Sequence, residues 1–79
     1  MHPLRRWREG VNASRSTFAA MIGISQRQLE AIEAGRKWPR WPILYAIVTR
    51  VARPNFVESM LRYHKQVNEE RAEASKATL

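Results

Sequence analysis

Gln26, Arg27, Gln28 and Glu30 carry the hydrogen-bonding groups that base edges require, within five residues of one another. A guanidinium such as that of Arg27 donates two parallel bonds, matching O6 and N7 of guanine. The amides of Gln26 and Gln28 can pair with N6 and N7 of adenine, although Gln28 points more sideways and can hold a phosphate instead. Glu30 can accept from N4 of cytosine, or orient Arg27 three residues before it. Ala31 suits contact with a thymine methyl. Other chemistry is thin. The chain has no Cys and no Asp, and its only imidazoles are His2 and His64. His2 is expected at a frayed end and His64 on a helix face. No His or Glu pair has metal-ligand spacing backed by a third ligand, and the three glycines form no phosphate loop. The expectation is a protein that is not an enzyme, with no catalytic residue, metal or cofactor.

The elements that must position these side chains lie in Arg15 to Gly35, RSTFAAMIGISQRQLEAIEAG. Phe18, Ala19 and Ile22 form one apolar stripe, and Leu29 and Ile32 form a second. The break between them is Gly23-Ile24-Ser25. Gly23 can take the positive φ that ends a helix, and Ser25 can cap the next by accepting from its first turn. Small Ala19 permits a close approach, and the spacing suits two helices crossing over a tight turn. With Leu29 and Ile32 inward, 100° per residue turns Arg27, Glu30, Ala31 and Ala34 outward, and Gln26 sits at the open end. This is a helix-turn-helix pattern, which predicts a reader of DNA.

The rest of the chain reads as helix, giving an all-α domain of five helices. Nothing alternates over a strand length. The first helix spans about Pro3 to Glu9 and ends at Gly10 and Asn12. The second spans about Arg15 to Ile22 behind Ser14, and the third about Gln26 to Ala34. The fourth starts near Pro42 and stops near Ala52, because Pro54 disfavours a helical Arg53. Asn55 with Glu58 resembles a capping box for the fifth. Residues 1–67 form the expected domain, with the last helix over about 55–67. Residues 68–79 form a polar tail expected to fray near its end.

Charge sharpens the expectation. The chain has 79 residues and a formal charge of +7. Residues 1–53 carry ten cations and three Glu, whereas residues 54–79 carry four of each. The excess therefore belongs to the half holding the two crossed helices, and a basic face predicts a polyanionic partner. No apolar run approaches the roughly 20 residues that span a bilayer, and the first ten residues lack the core of a signal peptide. A cytoplasmic location is expected, in a bacterial nucleoid or a phage-infected cell.

Leu4, Arg8, Ser14, Phe18-Ala19, Gly23-Ile24-Ser25, Leu29, Ile32, Glu33-x-Gly35 and Pro39 form an ordered set. In that set the chain from Leu4 to about Val51 resembles the Cro/C1-type (XRE) helix-turn-helix family, which includes lambdoid phage repressors. Asn12 and Ala13 depart from the family's Gly and large aliphatic residue, and Thr17 from its capping Glu. The segment Trp38 to Pro42 is unusually aromatic. The resemblance implies a compact five-helix lambda-repressor-like domain whose third helix enters the major groove. With the helix so placed, Gln26, Arg27, Gln28, Glu30 and Ala31 are expected at the bases. The family holds a phosphate at the start of the second helix, here Ser14 and Arg15, and Ser25, Arg36, Lys37, Trp38 and Arg40 are expected beside the sugar-phosphate backbone, where contacts position without specifying sequence. The resemblance also implies a partly buried ion pair between Arg8 and Glu33. Trp41 is expected to pack on the core, and Trp38 is divided between core and backbone.

The expected partner is double-stranded DNA with an inverted repeat, bound by a homodimer whose half-sites lie about 34 Å apart. Phe56, Met60 and Tyr63 are expected at the dimer seam; the alternative is that their stripe only covers the fourth helix within one chain. The expected role is a transcriptional repressor or autorepressor, Cro-like or the regulator of a small cassette such as anti-CRISPR genes. Two other classes compete. One is an antitoxin-type module whose fifth helix binds a partner protein. The other is non-specific nucleic-acid packaging.

Overall fold

The computed structural model describes the backbone of residues 1–77 and the side chains through Ala74. Five helices follow in order: α1 (Pro3–Gly10), α2 (Arg15–Ile22), α3 (Gln26–Glu33), α4 (Trp41–Val51) and α5 (Phe56–Ala77). No strand occurs among the described residues, so the architecture is all-α.

Local chemistry sets the ends of these helices. Ser14 caps α2 by accepting from the Thr17 N–H at 3.1 Å, and its hydroxyl donates to Thr17 Oγ1 at 2.7 Å. Thr17 thus binds the cap by its own hydroxyl where a capping Glu is absent. Ser25 and Gln28 form a reciprocal box on α3. The Gln28 N–H donates to Ser25 Oγ at 3.1 Å, and the Ser25 N–H donates to Gln28 Oε1 at 2.8 Å. Gly23 (φ 81°) closes α2, with the Ile24 N–H returning to the Ala19 carbonyl at 3.0 Å. Gly35 (φ 78°) closes α3 in the same way, with the Arg36 N–H on the Ala31 carbonyl at 3.1 Å. A Cβ at Gly35 would also lie 2.9 Å from Val67 Cγ2, so glycine serves both the turn and the approach of α5. α4 ends at Ala52 (φ 51°), just before Pro54 as expected. Asn55 differs from its expected role. Its φ of 61° is left-handed, whereas a capping residue needs extended backbone.

One core joins all five helices: Leu4, Phe18, Ala19, Ile22, Leu29, Ile32, Ile47, Val51, Phe56 and Met60. The two stripes flanking Gly23 lie inside it, and α2 and α3 pack directly on each other. Phe56 and Met60 are buried within the single chain, and half-buried Tyr63 sets its ring edge-on to His2 at 5.0 Å. This corrects the expected dimer seam. Phe56 and Met60 complete the chain's own core and have no free surface for a second copy, whereas Tyr63 is half-buried. The helix they begin is also longer than expected. It continues through the polar segment to Ala77; residues 78–79 lie outside the described part.

Candidate nucleic-acid interface

The elements that carry the candidate residues are tied together by buried polar contacts. Arg8 on α1 donates from Nε to Glu33 Oε2 at 2.9 Å and from Nη2 to Glu33 Oε1 at 3.1 Å. Its third donor, Nη1, meets the Ala13 carbonyl at 2.9 Å. Both side chains are almost fully buried. The hydrogen bond to Glu33 holds the guanidinium above its ordinary pKa against the opposing effect of burial. This is the ion pair the resemblance implied, and it fixes the end of α3 to α1 and to the loop before α2. Arg15 extends the network, with Nε 3.3 Å from Glu33 Oε1 and Nη1 3.5 Å from Glu30 Oε1.

A second buried contact ties α1 to α5. His2 Nδ1 accepts from the Leu4 N–H at 3.0 Å, capping α1. His2 Nε2 lies 2.9 Å from His64 Nε2. Because Nδ1 is an acceptor, the proton of neutral His2 resides on Nε2 and is donated to His64. Burial, then the charge of a protonated His64, then the N-terminal ammonium push the His2 pKa down to about 3. Burial lowers His64 as well. The expectation of a frayed His2 is therefore wrong: it is 1% exposed. Pro3 was the available signal, since a proline in a first helical turn calls for a capping group before it. Its partner 62 residues away had no signal at all.

Gln26 and Arg27 are exposed in the first turn of α3. Among the described residues Arg27 has no carboxylate within ion-pair distance. Glu30 does not orient it; its carboxylate faces Arg15 instead. Gln28 is exposed, but its carbonyl oxygen is held by the Ser25 N–H. Pairing with adenine needs that oxygen as an acceptor, so in this conformation Gln28 offers only its NH₂ donors, which suit a phosphate. Ala31 is half-buried beside this turn, and Ser14 and Ser25 are exposed, each already serving as a cap. Beyond α3, Arg36, Lys37 and Arg40 are exposed and unpaired with any carboxylate among the described residues. A cleft of about 360 Å³ runs between the starts of α3 and α4, bordered by Gly23, Gln28, Lys37, Arg40, Pro42 and Ile43. It gathers two cations and one amide donor at one opening.

The two tryptophans of the loop separate. Trp38 sets its ring edge-on to His64 at 5.0 Å and is 37% exposed, so it both packs and faces solvent. Trp41 is 72% exposed, against the expectation of a core residue. It opens α4, whose buried residues Ile47 and Val51 lie one and a half turns or more further along the helix.

Comparison with protein-family models, with curated proteins and with solved structures finds no match for this chain. The site therefore stands on its own geometry. No group of three or more metal-ligating side chains occurs among the described residues, and none of their helices is long and apolar enough to cross a membrane.

Proposed function

We propose that the chain is a sequence-specific binder of double-stranded DNA, a transcriptional regulator of the Cro/C1 helix-turn-helix type acting as a repressor or autorepressor. α3 lies in the major groove, with Gln26 and Arg27 at base edges. The Arg15–Glu30 pair leaves Glu30 beside the groove, free to accept from cytosine N4 once a phosphate draws Arg15 away. Gln28, Arg36, Lys37 and Arg40 hold the backbone on either side of the cleft. The single observation that carries this reading is the unpaired strip itself. Arg27, Arg36, Lys37 and Arg40 face solvent without carboxylate partners among the described residues, whereas buried Arg8 is fully paired.

An inverted repeat read by two copies remains part of this proposal, with the seam on side chains other than Phe56 and Met60. Selection of bound sequences from random duplex DNA tests it. A recovered repeat with half-sites about 34 Å apart supports two copies. Recovery of no sequence preference sinks the reading in favour of packaging. The antitoxin-type alternative draws on one feature, the length of α5, whose residues 68–74 are all exposed. Co-purification of a partner protein released by truncation after Val67 would favour it.

A further inference from the structure

Residues 34–57 hold Arg36, Lys37, Arg40, Arg50 and Arg53 and not one acidic residue. Inside this stretch Trp41 and Tyr45 stand one helical turn apart on α4, 72% and 63% exposed. Their ring centroids are 6.2 Å apart and the planes are tilted by 50°. Aromatic side chains of this size normally bury 150–250 Å² each, yet nothing in the described chain covers these two. Arg40 directly precedes Trp41 and shares its cleft with Lys37. The surface thus combines bare π faces with unpaired cations.

We propose that the Arg36–Tyr45 surface binds single-stranded DNA, with unpaired bases stacking on Trp41 and Tyr45 and phosphates held by Arg36, Lys37 and Arg40. Every base has a π face, so such a platform is tolerant of sequence. A duplex cannot use it fully, because its bases are already stacked on each other. A second copy of this chain would bring the same acid-free cations against themselves. A lipid surface would need a continuous apolar stripe, but Thr49, the next residue on this face, is polar and exposed. The proposal shares the phosphate contacts of Arg36, Lys37 and Arg40 with the duplex reading and differs in its base contacts, which are the rings of α4 rather than the first turn of α3.

The test uses the full chain at fixed salt with a strand of about 12 thymidylates, which does not pair with itself and lies within the usual site sizes. A matched abasic strand carries the same phosphates without bases. The thymidylate strand is expected to bind at least about tenfold more tightly than the abasic strand and to quench tryptophan fluorescence. Trp41→Leu is expected to weaken binding about tenfold and remove most of the quenching, with a smaller loss for Tyr45→Leu. Both positions are exposed, so folding checked by circular dichroism is expected to be retained. Equal affinity for the two strands overturns the proposal, as does a Trp41→Leu chain that binds as well as the wild type. Tighter binding to a uridylate RNA or to vesicles containing phosphatidylserine overturns the choice of partner. Arg27→Ala separates the two functions: it relaxes duplex selection at one base position if that reading holds and leaves thymidylate affinity in place. Failure of one therefore does not mimic failure of the other.

Discussion

The two sides of this small domain treat charge and polarity in opposite ways. On the inner side, Arg8 spends three guanidinium nitrogens on Glu33 and Ala13, and His2 and His64 share one hydrogen bond away from water. On the outer side, Arg27, Arg36, Lys37 and Arg40 have no carboxylate partner among the described residues. A buried charge must be paired because its desolvation costs several kcal/mol. An exposed cation carries no such constraint, so these four can stand without a carboxylate partner.

The sharpest way to break the comparison is at Arg8. Arg8→Ala strands the Glu33 carboxylate in the interior and is expected to destabilise the fold by about 3–5 kcal/mol. Denaturant unfolding measures this, and a midpoint near that of the wild type would count against the pair. The histidine contact comes next. Both folded-state pKa values are depressed, so between pH 6.5 and about 3 the unfolded chain binds more protons than the folded one. The stabilisation is complete above pH 6.5 and is lost as pH falls toward 3. For His2 the full loss is on the order of 5 kcal/mol. Thermal melts across that range check the slope, and His64→Gln should flatten it.

The outer side should respond in binding alone. Arg27→Ala is expected to leave stability within about 0.5 kcal/mol while costing roughly 1–3 kcal/mol of duplex affinity at one base position. Lys37→Ala should weaken all duplex sequences alike and reduce the log–log salt slope by about 0.9. Measurement of both variants against a selected site and against random DNA tests the division of roles. The smallest effect belongs to Gln28, which sits on both sides of the comparison. Loss of its half of the capping box in Gln28→Ala is expected to cost up to about 1 kcal/mol of stability. An affinity loss larger than the stability loss would show that its amide also reaches the nucleic acid.

Most of the fold was legible in the chain. The apolar stripes at Phe18, Ala19, Ile22 and at Leu29, Ile32 lie where their periodicity puts them. Ser14, Gly23, Ser25 and Gly35 mark the helix ends because caps and left-handed turns are local chemistry within a few residues. The outward face of α3 follows from the same periodicity, which is why the sequence alone places Gln26 and Arg27. Glu30 and Gln28 were less legible. Each has two possible partners within reach, and only the distances to Arg15 and to the Ser25 N–H decide between them.

The sequence by itself determined five helices, the caps at Ser14 and Ser25, the inward stripes and the confinement of net charge to residues 1–53. All of these depend on neighbours along the chain or on composition. Tertiary structure alone decided that Phe56 and Met60 close their own core, that His2 meets His64, and that Trp41 stays in water. Periodicity names the face of a helix but not what covers it. That is settled by packing between segments as much as 62 residues apart, where burial of one side chain requires a complementary surface that no local pattern encodes.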